Sequence, residues 1–251
     1  MKRIYILFLL TFLTSSLWAQ EMVTRSQDAD SLYRAADYEG AIHGYEEILA
    51  NGITSADLHY NLGNAYYRTD QIGHAILNYE RALRLNPGMT DARQNLELAN
   101  SKTVDRITVL PKIFLVEWYD TLVSHFAPAT WRIIVIIILI IACVAVYFLV
   151  TSRSIPIRKT ALASLIAAGL LLLISIWFTL VSTSRYNSHS EAIVMQGSMA
   201  VKSSPELQSV DKLILHEGTK VTISESLSDW HKITLADGTT GWCQEESIER
   251  I

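Results

Sequence analysis

The sequence predicts a multidomain chain: an all-α helical repeat array, then two transmembrane helices, then a C-terminal all-β domain. Three observations predict it. YEGAIHGYEEILANG at 38–52 recurs in TDQIGHAILNYERALRLNP at 69–87 with a period of 34 residues, placing Ala41 on Ala75, Tyr45 on Tyr79, Glu46 on Glu80 and Leu49 on Leu83. Two uncharged apolar runs follow, Ile133 to Val150 and Ala161 to Val181. Beyond Val181 the pattern changes to short alternating segments divided by turn residues.

The first element is MKRIYILFLLTFLTSSLWAQ. Lys2 and Arg3, an apolar run from Ile4 to Leu13 and a polar stretch ending at Ala19 have the layout of a secretory signal over residues 1–19. Cleavage is expected after Ala19, although Leu17 stands where a small residue is preferred. An uncleaved anchor is the alternative, and it leaves the following segment on the same side of the membrane. No cysteine follows the run, so nothing suggests a lipoprotein.

Residues 20–104 form the predicted array, with units at about 22–55 and 56–89 and a capping helix at 90–102. A fixed period of this length with paired helices is the signature of a tetratricopeptide repeat (TPR). Ala56 to Pro87 resembles that family at Leu62, Gly63 and Tyr66 on a first helix, at Ala75, Tyr79 and Ala82 on a second, and at Pro87 after it. His59 replaces the usual early tryptophan. Gly63 and Ala75 are small where two antiparallel helices approach, while Tyr66 and Tyr79 fill the space beside them. Asn86-Pro87-Gly88 ends the second helix. The first unit is degenerate, with Ala29 and Leu32 at the Gly63 and Tyr66 positions and no closing proline. Each repeat buries its apolar side only against a neighbour, so TDARQNLELANSK reads as a cap.

Stacks of this kind curve so that first-helix residues line a groove, which places Tyr33, Arg34, Tyr60, Asn64, Tyr67, Arg68 and Gln94 there as candidate partner-binding residues. Tyrosine and arginine are favoured at protein interfaces. The alternative is an ordinary amphipathic surface. Repeats that clamp a C-terminal carboxylate carry lysine, asparagine and arginine at set positions, where this chain has Ser26, Asp30 and Asp91.

Residues 105–130 form a juxtamembrane segment in which Phe114, Trp118, Leu122 and Phe126 recur at fours. That fits an amphipathic helix at a membrane surface, or one packed on the repeats. The first apolar run would be about 27 Å long as a helix, close to the hydrocarbon thickness of a bilayer. Spans are expected at 131–150 and 161–183. The loop 151–160 carries Arg153, Arg158 and Lys159 without an acidic residue, which marks it as cytoplasmic. Residues 20–130 and 184–251 then lie outside the cytoplasm.

In the tail, EAIVMQ, KVTIS, HKITL and TGWC read as strands, with Asp237-Gly238 as a hairpin cue. Residues 190–251 resemble a bacterial SH3-like barrel at Val201-Lys202-Ser203, at the Glu217-Gly218 turn, and at Trp230 and Trp242. So small a core predicts that Trp230, Ile233 and Trp242 fill it. Cys143 falls in a span and Cys243 in the tail, so both read as small buried residues rather than a disulfide.

The chain has no phosphate-binding glycine loop, HExxH, paired-cysteine motif or GxSxG elbow, and its seven histidines include no i, i+4 pair within the repeats. The expectation is a non-enzymatic protein without catalytic residues, cofactor or metal site. A net charge of −4 and export argue against nucleic acid. Over essentially the whole chain the order of modules resembles the BatE family of Bacteroides aerotolerance (Bat) operon proteins. That resemblance implies a bacterial inner-membrane protein with array and tail in the periplasm, linked to oxygen or stress tolerance, and partnered by sister Bat membrane proteins with von Willebrand factor A domains. Two readings stay open: a scaffold that binds proteins in the groove, and an envelope anchor or sensor whose SH3-like tail contacts peptidoglycan.

Overall fold

The computed structural model describes residues 25–108, 113–188 and 190–251; the signal sequence expected at 1–19 lies outside them. The chain divides into two compact units. One gathers residues 25–85, 89–108 and 190–251, and the other contains 113–188 together with 86–88.

The first unit begins with helical hairpins. α1 is described over residues 25–34, followed by α2 (Tyr38–Ala50), α3 (Ala56–Arg68), α4 (Ile72–Leu85) and α5 (Thr90–Lys102). Their starts are written locally: the Asp37 carboxylate accepts from Gly40 N at 3.0 Å before α2, and Ser55 Oγ accepts from Leu58 N at 3.1 Å before α3. The 34-residue period is visible in the backbone. Ala36 and Asp70, one period apart, both adopt φ 62° in the turns after α1 and α3. The flanking bonds repeat as well, Asp37 N to Leu32 O and Gln71 N to Tyr66 O.

Close approach explains the small residues. A Cβ on Gly63 would lie 2.8 Å from the Tyr79 ring and 3.3 Å from Ala75 O. In the first hairpin the small residue is on the other helix, since a Cβ on Gly44 would lie 2.9 Å from Ala29 Cβ. Ala41, Tyr45, Ala75 and Tyr79 are fully buried between the helices. His59 is also buried, with Nδ1 2.9 Å from Asn78 Oδ1 and Nε2 3.1 Å from Thr54 Oγ1. Burial lowers its pKa from the ordinary histidine value.

The same unit contains a seven-stranded antiparallel sheet built from β1 (Glu191–Val194), β2 (Ser198–Lys202), β3 (Asp211–His216), β4 (Lys220–Leu227), β5 (Trp230–Thr234), β6 (Thr240–Gln244) and β7 (Ile248–Arg250). Its order is β3-β2-β6-β5-β4-β1-β7. The Asp237-Gly238 turn joins β5 to β6, with Gly238 at φ 84°. The pleat decides what is buried: His231, Ile233 and Leu235 face inward, as do Gly241 and Cys243. Trp230 and Trp242 have the opposite parity and are only half-buried, Trp242 opposite Lys202 and Lys232. The core that the sequence assigns to Trp230, Ile233 and Trp242 is therefore filled by Ile233 with Val194, Met199, Val201, Leu215, Val221 and Cys243. Burial pushes the Cys243 thiol up to about 12.

The sheet packs on α4. Ile193 and Ile251 are buried in the helical core beside Ile76 and Tyr66, and Gly73 N donates to Glu217 Oε1 at 2.8 Å. Lys220 Nζ sits 3.1 Å from Glu80 and 3.0 Å from Glu191. Burial opposes its charge, but the two carboxylates outweigh that and raise its pKa. Arg81 binds Glu249 at 2.9 Å, and Arg84 donates to the Ile251 carbonyl. After α5, Asp105 accepts from His216 N at 2.7 Å, His216 Nδ1 at 2.8 Å and Thr219 Oγ1 at 2.6 Å. Burial works against its charge too, yet these donors hold the Asp105 carboxyl below the usual range.

The second unit comprises α6 (Phe114–Ser124), α7 (Pro128–Thr151) and α8 (Ile155–Asn187). α7 and α8 are long and apolar enough to cross a membrane, with mean hydropathy 3.5 and 2.4. They form a hairpin whose buried positions recur every seven residues: Trp131, Ile138 and Ala145 on α7, and Ala161, Ala168, Ser175 and Ser182 on α8. On α8 all four of these side chains are small, which lets the larger Trp131 and Ile138 of α7 pack against it along a shared seam. α8 already begins at Ile155, with Pro156 in its first turn, so Arg158 and Lys159 lie on the helix rather than in a loop. α6 packs on α8: Arg185 donates to Asp120 Oδ1 at 2.8 Å and Trp177 Nε1 donates to Tyr119 Oη at 3.1 Å, leaving Phe114 and Trp118 exposed.

Candidate functional site

The groove is built by one hydrogen-bond motif used twice. Tyr45 Oη donates to Asp30 Oδ1 at 2.6 Å, and Asn61 Nδ2 of the next hairpin donates to the same atom at 3.2 Å. Thirty-four residues on, Tyr79 Oη and Asn95 Nδ2 both donate to Asn64 Oδ1 at 2.8 Å. In each case the tyrosine fixes a helix to its hairpin partner, and the asparagine fixes that hairpin to the next helix. Burial, reinforced at Tyr45 by the Asp30 carboxylate, raises the pKa of both phenols, so they remain donors.

Two adjoining concavities open on this floor. One, of about 330 Å³, is lined by Tyr33, Tyr60, Asn64, Tyr67, Arg68, Tyr79, Asn95 and Leu98. The other, of about 240 Å³, is lined by Asp30, Tyr33, Arg34, Tyr45, Asn61 and Asn64. Together they bring Tyr33, Arg34, Tyr60, Asn64, Tyr67 and Arg68 to one surface drawn from α1 and α3. Gln94, one period after Tyr60, is exposed on α5 and lines neither; its neighbour Asn95 does. Asp30, Tyr45, Asn61, Tyr79, Asn95 and Leu98 are groove residues absent from the sequence-derived set. The pairing of Asn61 with Asn95 at the established period could have identified two of them.

Cations sit at the rim. Arg68 lies 5.9 Å from the Tyr38 ring centroid, and its hydrogen bond to Tyr33 raises its pKa. Lys102 stands 4.3 Å above the Tyr67 ring and pairs with Asp70 at 3.1 Å, a contact that raises its pKa. Among the described residues no group of three or more histidine, cysteine, aspartate or glutamate side chains is arranged to hold a metal ion.

Residues 56–89, which comprise α3, α4 and the connection after them, match the tetratricopeptide repeat family model. Comparison with curated proteins gives no match. The chain thus carries a TPR repeat, a module of protein–protein interaction, beside two apolar helices and an antiparallel β domain.

Proposed function

We propose that the chain is a membrane-anchored scaffold that binds a partner protein in the groove of its helical array. The observation that carries this reading is the tyrosine-rich surface formed by Tyr33, Tyr60, Tyr67 and Arg68 around a concavity large enough for a few side chains. The α7–α8 hairpin is the anchor. The resemblance to BatE extends the reading to a periplasmic array, a Bat aerotolerance system, and sister membrane proteins with von Willebrand factor A domains as partners. The C-terminal sheet, read as SH3-like, braces α4 on the side away from the groove.

The test is partner capture by crosslinking in native membranes. Replacing Tyr67 and Arg68 with alanine removes contacts worth roughly 2 kcal/mol or more at an interface hot spot, so recovery of the partner should fall by about tenfold or more. Deleting the sheet would uncover Ile76, which it covers at Gly218, so the sheet is tested by surface changes at Trp230 and Trp242 instead. Undiminished capture by the groove variant, with sedimentation on purified peptidoglycan lost in the sheet variant, would replace the scaffold by a wall-binding anchor.

A further inference from the structure

α6 carries an apolar face that its packing leaves uncovered. The side that meets the α7–α8 hairpin is formed by Tyr119, whose Oη accepts from Trp177 Nε1, by Asp120, which accepts from Arg185, and by buried Val123, whose carbonyl accepts from Trp131 Nε1 at 3.4 Å. Phe114, Leu115 and Trp118 lie on a different side and are 73 %, 62 % and 62 % exposed. Residue 118 is one turn on from the other two, so the three form a single face. Glu117, Thr121 and Ser124, also exposed, form a polar third side. Three large apolar side chains exposed together on an 11-residue helix mark an interaction surface.

The place of α6 on the hairpin says what covers that surface. Trp177 lies four residues before Val181, where the uncharged apolar run ends, and Arg185 lies four residues after it, about 6 Å to either side along the helix. Tyr119 and Asp120, adjacent on α6, bond to one each, so α6 sits at the level where the run gives way to polar sequence. Aromatic rings gather at the same level: Phe178 stacks on Trp131 with centroids 4.8 Å apart and lies 6.0 Å from the Tyr119 ring. Such rings sit at the headgroup level of a bilayer, and an apolar helix face beside them meets the acyl boundary. Charge narrows the reading further. FLVEWYDTLVS has no lysine or arginine, and of its two acids Asp120 is paired with Arg185, so α6 has no attraction for anionic headgroups. We propose that α6 is a third membrane element, seated at the bilayer interface with Phe114, Leu115 and Trp118 inserted at the acyl boundary and held there by apolar burial rather than by headgroup charge. This rests on the α7–α8 hairpin being the membrane anchor, as proposed above.

The test uses the full chain in phosphatidylcholine vesicles, with a photoreactive benzophenone side chain placed singly at position 114, 118, 121 or 140, the last being exposed on α7. After irradiation, mass spectrometry of the chain measures phospholipid adducts. Positions 114 and 118 should give at least about tenfold more lipid adduct than 121, on the polar side, and should approach the yield at 140. Replacing half of the lipid with phosphatidylglycerol should change the yield at 118 by less than about twofold. Equal lipid labelling at 118 and 121, or labelling at 118 that requires phosphatidylglycerol, overturns the proposal. A protein adduct in place of lipid when position 118 is irradiated in native membranes overturns it as well. Lipid adducts at 140 with none at 114 or 118 reject the role of α6 and leave the hairpin as the anchor. If no position gives a lipid adduct, both readings fail.

Discussion

Gly63 and His59 show how single residues set the repeat. Leucine at 63 would force its side chain into the Tyr79 ring, already 2.8 Å from a Cβ at that position, and overpacking of this kind costs about 1–3 kcal/mol. Thermal unfolding of Gly63→Leu should show a lower midpoint, and an unchanged one would deny the close contact. His59 has a lowered pKa, so below about 6.5 the unfolded chain takes up its proton before the folded one. Stability is therefore complete above that pH and declines as pH falls through this region. Replacing His59 with glutamine should flatten the decline between pH 7 and 5; a parallel profile would place the titrating group elsewhere. The sequence made Gly63 legible because size and period both identify it. The Asn78 partner of His59 was not legible, because only the folded register of α3 on α4 brings them to 2.9 Å. Trp230 and Trp242 were misplaced because bulk suggests burial whereas strand parity decides it.

At the scale of elements, the finding least visible in the sequence is the packing of the sheet on α4. Nothing local links Lys220 to Glu80 or Ile193 to Ile76, since those pairs are separated by more than a hundred residues and by two apolar helices. Periodicity reports faces within a helix or strand and is silent on which faces meet. β1 buries Ile193 fully in the helical core, so Ile193→Ala should cost about 2–5 kcal/mol. Hydrogen-exchange mass spectrometry should then show protection falling together in α4 and β1. Loss confined to the sheet would mean that array and sheet unfold independently. β2, β3 and β7 were also absent from the strands read from sequence. β7 has only three residues, too few for alternation to stand out.

For the whole molecule, the shared core of array and sheet constrains how α7 and α8 are used. Residues before α6 and after α8 are packed together, so a chain whose two apolar helices both cross a membrane must return to the side from which it started. A cysteine at exposed Glu206 should be labelled by a membrane-impermeant thiol reagent from the periplasmic face, and one at Arg153 from the cytoplasmic face; labelling of both from one face would contradict the hairpin. The order of modules and the repeat were legible in the sequence, whereas the twofold Tyr-Asx-Asn network of the groove needed the structure. That groove is the central claim, and site-specific photocrosslinking in native membranes tests it most directly. A photoreactive residue at position 67 should capture a discrete protein partner that one at Glu225, on the exposed part of β4, does not; a partner captured from 225 and never from 67 would contradict the account.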